Sequence, residues 1–96
     1  MNFFVVETHF QKPFEQFGET VAQHRAYLQT WYDKGVLLCS GPQTDMKGGF
    51  IIGRAASRAE IDAMISGDPY HLLGLVKYTV KEFTPVKKSA VLDGWK

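Results

Sequence analysis

The chain has a single cysteine, Cys39, which excludes an intramolecular disulfide and a metal site built from several cysteines. It also lacks an 18-residue apolar run that could cross a membrane, and a charged segment leading into an apolar one in the manner of a secretion signal. A cytoplasmic protein that does not engage membranes is the expectation. Charge of one sign is missing as well. The 11 Lys and Arg stand against 10 Asp and Glu, a balance that gives no chain-wide field for nucleic acid, and Lys87-Lys88 is too short a basic run to supply one locally. Of the three histidines, His9 and His71 have no neighbours at metal-ligand spacing. Neither Gly41 nor the Gly48-Gly49 pair sits in a dinucleotide or nucleotide-triphosphate signature. No cofactor, metal or nucleic-acid partner is therefore expected.

What is present is enough for one core. A chain of 96 residues that is 45% hydrophobic is too apolar for disorder and too short for two domains, so residues 1–96 read as one unit with a core over about 3–83 and a tail over 84–96. A domain this small buries only about 60–65% of the surface its unfolded chain exposes, so a second copy covering an apolar sheet face would add stability.

Residues 2–8 are aromatic and β-branched and read as a strand. From Pro13 the period changes. Phe14, Phe17, Val21, His24, Leu28 and Trp31 recur every three or four positions, which predicts a helix to about Lys34 with Gly35 as its C-cap. Residues 36–40 form a second strand, expected to break at Gly41-Pro42, and 49–53 a third after a hairpin turn. Ser57 and Glu60 have the spacing of a capping box for a helix ending at Gly67. Asp68-Pro69 then opens a short helical turn closed by Gly74, and residues 75–83 supply the last strand, with Val76, Tyr78 and Val80 on one face. The order β-α-β-β-α-β predicts an α+β, ferredoxin-like subunit with both helices on one sheet face. Its other face would be closed by a second copy, sheet against sheet, in a homodimer.

His24 is the residue most out of place, because it occupies the apolar stripe of the first helix. It reads either as a buried histidine satisfied by one acceptor or, beside a polar cavity, as a proton-transfer group. Asp68 reads as the cap of the Pro69 turn, and the topology allows its return to the first helix. Arg25 and Tyr27 flank the stripe within reach of a ligand, although neither needs one to be stable. Ser40-Gly41-Pro42 closes a strand and could turn backbone amides toward an anion, though a turn alone accounts for it. Cys39, within an apolar run, reads as a small core filler.

The pieces His24-Arg25-Ala26-Tyr27-Leu28, Gly35, Ser40-Gly41-Pro42, Gly48-Gly49, Asp68-Pro69-Tyr70 and Gly74-Leu75, in this order and spacing, resemble the YciI (YCII-related) family of the dimeric α+β barrel superfamily. The resemblance spans about residues 3–83. It implies a ferredoxin-like subunit whose sheet pairs with its twin, an active-site pair at His24 and Asp68, and a cleft near which Ser40, Gly41 and Pro42 turn. Arg25 and Tyr27 join these three as expected substrate-binding residues. The function that follows is a small-molecule enzyme of lyase or isomerase type using His24 and Asp68 in acid/base proton transfer, without a cofactor. The competing reading is a non-catalytic ligand-binding or structural dimer in which the pair only stabilises a cavity. A haem or oxygen-dependent enzyme would need an axial ligand and a larger cavity.

Overall fold

A computed structural model describes residues 1–95. Strand β1 (Asn2–Phe10) is followed by a 3-10 turn at Phe14–Gln16, helix α1 (Thr20–Asp33), the hairpin β2 (Leu37–Pro42) and β3 (Gly48–Ala55), helix α2 (Arg58–Gly67), the short helix α3 (Pro69–Leu72) and strand β4 (Val76–Phe83). A second 3-10 turn, Ala90–Gly94, precedes Trp95. The four strands form one antiparallel sheet in the order β2-β3-β1-β4, the ferredoxin-like arrangement, and the sheet is open rather than closed into a barrel.

Side chains alternate across this sheet as the pleat requires. In β1, Phe4, Val6 and Thr8 face the helices, whereas Phe3, Val5, Glu7 and His9 face away. The main core joins Phe4 and Val6 to Leu28 of α1, Ile51 of β3, and Ile61 and Met64 of α2. Phe4 and Ile61 have no exposed surface, and each such burial contributes about 1.5–3 kcal/mol. A smaller cluster of Phe17, Tyr70, Leu75 and Val76 lies beside it, with Phe10, Phe14, Val21 and Tyr78 packed against it.

The sheet can pack this tightly because β3 begins with glycine. A Cβ at Gly48 would lie 1.8 Å from the Thr8 carbonyl oxygen, inside any permissible contact.

Several expectations need correction. The first helix does not run from Pro13: Gly18 at φ +55° breaks it, and Phe14 and Phe17 belong to an aromatic cluster with Phe10, at 5.6 and 5.0 Å between ring centroids. The apolar period continued through that cluster because the same three-to-four spacing serves both. Gly41 and Pro42 do not end β2 but pair with Phe50 and Gly49. Proline is tolerated there because β2 is an edge strand. Ser57 stands at the N-cap of α2 in extended conformation but donates and accepts no side-chain capping bond. Cys39 is exposed, on the face away from the helices opposite Ile52, rather than in the core.

The tail returns to that same face. Trp95 packs edge-on against Phe3 at 5.4 Å, and its indole N–H donates to the Leu37 carbonyl at 3.2 Å. The Arg54 guanidinium lies over the Trp95 ring at 4.3 Å and donates to the Trp95 carbonyl. Phe50 and Phe83, on the same face, remain 40% and 48% exposed.

Candidate active site

Three elements converge on Asp68. The chain leaves α2 at Gly67, and Asp68 turns extended at φ −68° and ψ 127°, with Pro69 fixed at the first position of α3. Its carboxylate therefore caps α3, accepting from the Tyr70 N–H at 3.0 Å. From α1, the His24 Nδ1 lies 2.8 and 3.0 Å from the two carboxylate oxygens, and from β4 the Tyr78 hydroxyl donates to Oδ2 at 3.1 Å. Asp68 is 1% exposed and its oxygens are fully partnered. Capping and pairing with His24 are thus one arrangement, not alternatives.

The imidazole is held on a second side. Tyr70 stacks on it, with ring centroids 3.7 Å apart and planes 4° from parallel. A carboxylate offers only acceptors, so the proton between the two residues sits on Nδ1. In the neutral ring this leaves Nε2 with a lone pair, and Nε2 is the nitrogen available to the cleft that His24 lines.

Both phenols beside Asp68 keep their protons above the usual tyrosine range. Burial raises Tyr70 first and the Asp68 charge adds to it, with Arg25 opposing. Tyr78 is raised further, by burial, then by the Asp68 charge and by the hydrogen bond it donates to that carboxylate. Each stays a neutral hydroxyl near physiological pH.

The cleft has a volume of about 360 Å³, in the range of ordinary small-molecule sites. One row of α1 forms a wall, His24, Arg25, Leu28, Gln29 and Tyr32 recurring one helical turn apart. Ser40, Gly41 and Pro42 form the opposite wall as strand, and the Ser40 and Tyr32 hydroxyls meet across it at 2.7 Å. Phe14 and Phe50 add aromatic surface. Among the described residues no group of three or more His, Cys, Asp or Glu side chains is placed to hold a metal ion.

The sequence matches the YCII-related domain over residues 1–84. The chain belongs to the YCII-related family. Among solved structures, this YCII-related chain is similar to 5-chloro-2-hydroxyhydroquinone dehydrochlorinase (TftG) from Burkholderia phenoliruptrix AC1100, in complex with 2,5-dihydroxybenzoquinone. The TM-score is 0.71 and the identity 24%, over 88% of this chain and 94% of that one. It is also similar to Rv0793 from Mycobacterium tuberculosis, with a TM-score of 0.52 and 15% identity over 94% and 100% of the two chains. At these identities the likeness is one of fold. No curated protein sequence matches the chain.

Of the expected site residues, His24, Arg25, Ser40, Gly41 and Pro42 line one cleft, with Asp68 directly behind the imidazole. Tyr27 does not join them. Its hydroxyl donates to the Met64 carbonyl at 2.7 Å and it packs over Gly67, so it ties α1 to α2. Gln29, Tyr32, Tyr70 and Tyr78 were not singled out from the sequence. The first two follow from His24 by helical spacing, and Tyr70 adjoins Asp68-Pro69. For Tyr78 the alternation of β4 gave the face but not the partner.

Proposed function

We propose that this YCII-related protein is a small-molecule enzyme of lyase or isomerase type in which His24 transfers a proton. The observation that carries the proposal is the 2.8 Å contact from Nδ1 to a carboxylate that is 1% exposed, made by an imidazole that lines a cleft of about 360 Å³. Nε2 takes a proton from a substrate O–H or from a C–H beside a carbonyl, and the electron pair left behind forms an enolate. In an elimination that pair expels a leaving group from a saturated adjacent carbon. On a hydroxylated aromatic ring the imidazolium first returns the proton to the carbon that bears the leaving group. Removal of a second O–H proton then expels that group, so one proton and one leaving anion are lost in all. In an isomerisation the imidazolium returns the proton to a different atom of the same molecule. Asp68 keeps its negative charge throughout, holding the Nδ1–H tautomer and stabilising the imidazolium. Arg25, Ser40, Gly41 and Pro42 position the substrate.

The dehydrochlorinase of similar fold supplies the test compound, since loss of hydrogen chloride from a hydroxylated ring is the elimination described. Wild-type protein with 5-chloro-2-hydroxyhydroquinone in deuterated water is expected to release chloride or exchange ring protons. A folded His24→Ala variant is expected to lose about 10²–10⁴-fold of that rate. Normal turnover by that variant would defeat the assignment, and binding without turnover by the wild type would favour a non-catalytic module.

The assembly that accompanies this activity is a cytoplasmic homodimer packed sheet to sheet. It is supported by the short chain and by Val5, Ile52 and Phe50, which lie on the face away from the helices, Phe50 40% exposed. Phe50 also lines the cleft, so a partner seated there would wall the site. A monomer by light scattering at micromolar concentration would count against it.

A further inference from the structure

Resting on that reading of the cleft as a substrate site, we infer that its ligand is a small, flat, ring-shaped oxyanion, an enolate or phenolate, with its charge against Arg25. Arg25 and the titratable His24 are the only lining residues that can be positive, and no Asp or Glu side chain lines the cleft. Asp68 stands behind the imidazole, its side chain 2% exposed. Arg25 forms no ion pair among the described residues, so its guanidinium is free to take an oxyanion.

The walls specify the rest of the ligand. Phe10 and Phe14, stacked on each other on the helix side of the sheet, offer aromatic surface to a flat molecule, and the volume of about 360 Å³ lies at the low end for ligand pockets. The Tyr32 and Ser40 hydroxyls, 2.7 Å apart, can share only one of their two protons with each other. The second proton is left to donate to a carbonyl or hydroxyl oxygen of the ring. Removal of a proton by His24 places further negative charge on such a ring, which Arg25 also stabilises.

The test uses two probes built on one flat ring, 2,5-dihydroxybenzoquinone, an anion at neutral pH, and the neutral, slightly larger 2,5-dimethoxybenzoquinone. Binding of each to the full chain is measured by calorimetry at pH 7. The anion is expected to bind at least about tenfold more tightly, a preference that shrinks as salt is raised because Arg25 is exposed. Arg25→Gln should bring the two affinities to within about threefold, Arg25→Lys should keep part of the preference, and His24→Gln should keep most of it. Equal affinities in the wild type, no binding of the anion at millimolar concentration, or a preference lost in His24→Gln but kept in Arg25→Gln would each overturn the inference. Because binding alone is read, an inert His24 would leave this result standing, and a cleft indifferent to charge would leave the proton-transfer reading standing.

Discussion

Replacing Asp68 with asparagine changes one atom and should reverse the chemistry of His24. The carboxylate accepts from Tyr70 N–H at 3.0 Å, from Tyr78 at 3.1 Å and from His24 Nδ1 at 2.8 and 3.0 Å. An asparagine has one acceptor oxygen, which the Tyr70 amide claims because a backbone N–H can only donate. The new NH₂ then faces Tyr78 and Nδ1. Tyr78 can turn its hydroxyl to accept. Nδ1, 2.8 Å from the retained oxygen and 3.0 Å from the NH₂, no longer has a carboxylate charge holding its proton, and by accepting from the NH₂ it shifts that proton to Nε2. The cleft would then meet an N–H donor in place of a base. Turnover should fall by about 10²–10⁴-fold, the ordinary contribution of a positioned base. Stability should fall by about 1.5–3 kcal/mol, since charge-assisted bonds become neutral ones while few donors are stranded. Turnover of a responsive substrate, thermal unfolding and nitrogen-15 spectra of the imidazole measure the three consequences. A folded Asp68→Asn protein with unchanged turnover and Nδ1 still protonated would refute the reasoning.

Two further outcomes follow from the same neighbourhood. Tyr70 and Tyr78 hold their protons above the ordinary value of 10.0, so above that pH the folded state binds more protons than the unfolded one. Stability present below pH 10 should then decline as pH rises, by about 1.4 kcal/mol per pH unit for each phenol still protonated in the fold. Denaturant melts from pH 9 to 11.5 should show this slope, reduced in Tyr78→Phe, and a flat profile would contradict it. A Cβ added at Gly67 would lie 2.5 Å from the Tyr27 hydroxyl and 3.0 Å from its ring, so Gly67→Ala should cost about 1–3 kcal/mol. Tyr27→Phe in the same chain should recover part of that cost, because the hydroxyl makes the closest contact, and a double-mutant cycle without coupling would disprove the contact.

The order of elements and the two-faced sheet were legible because helical and strand periods report burial directly. His24 could be read as anomalous for the same reason, a polar group standing in an apolar stripe. What lay beyond periodicity was the break at Gly18, since Phe14 and Phe17 keep helical spacing while packing as a cluster on Phe10. The strand character of Gly41-Pro42 depends on β2 being an edge, which only the assembled sheet decides. Tyr27 and Tyr32 are five residues apart on one helix and equally amphipathic, yet one bonds the Met64 carbonyl and the other Ser40 in the cleft. The crossing of α1 over α2 and β2 makes that choice, and no local pattern encodes it. The Tyr78 bond to Asp68 joins residues on separate elements in the same way.

The claim that His24 presents a basic Nε2 to the cleft is tested most directly by long-range proton–nitrogen spectra of the labelled imidazole, with and without 2,5-dihydroxybenzoquinone. The expected result is a proton on Nδ1 in the free protein and a ligand-induced shift concentrated at Nε2. A proton resident on Nε2, or a ligand that binds while leaving Nε2 unchanged, would contradict the account.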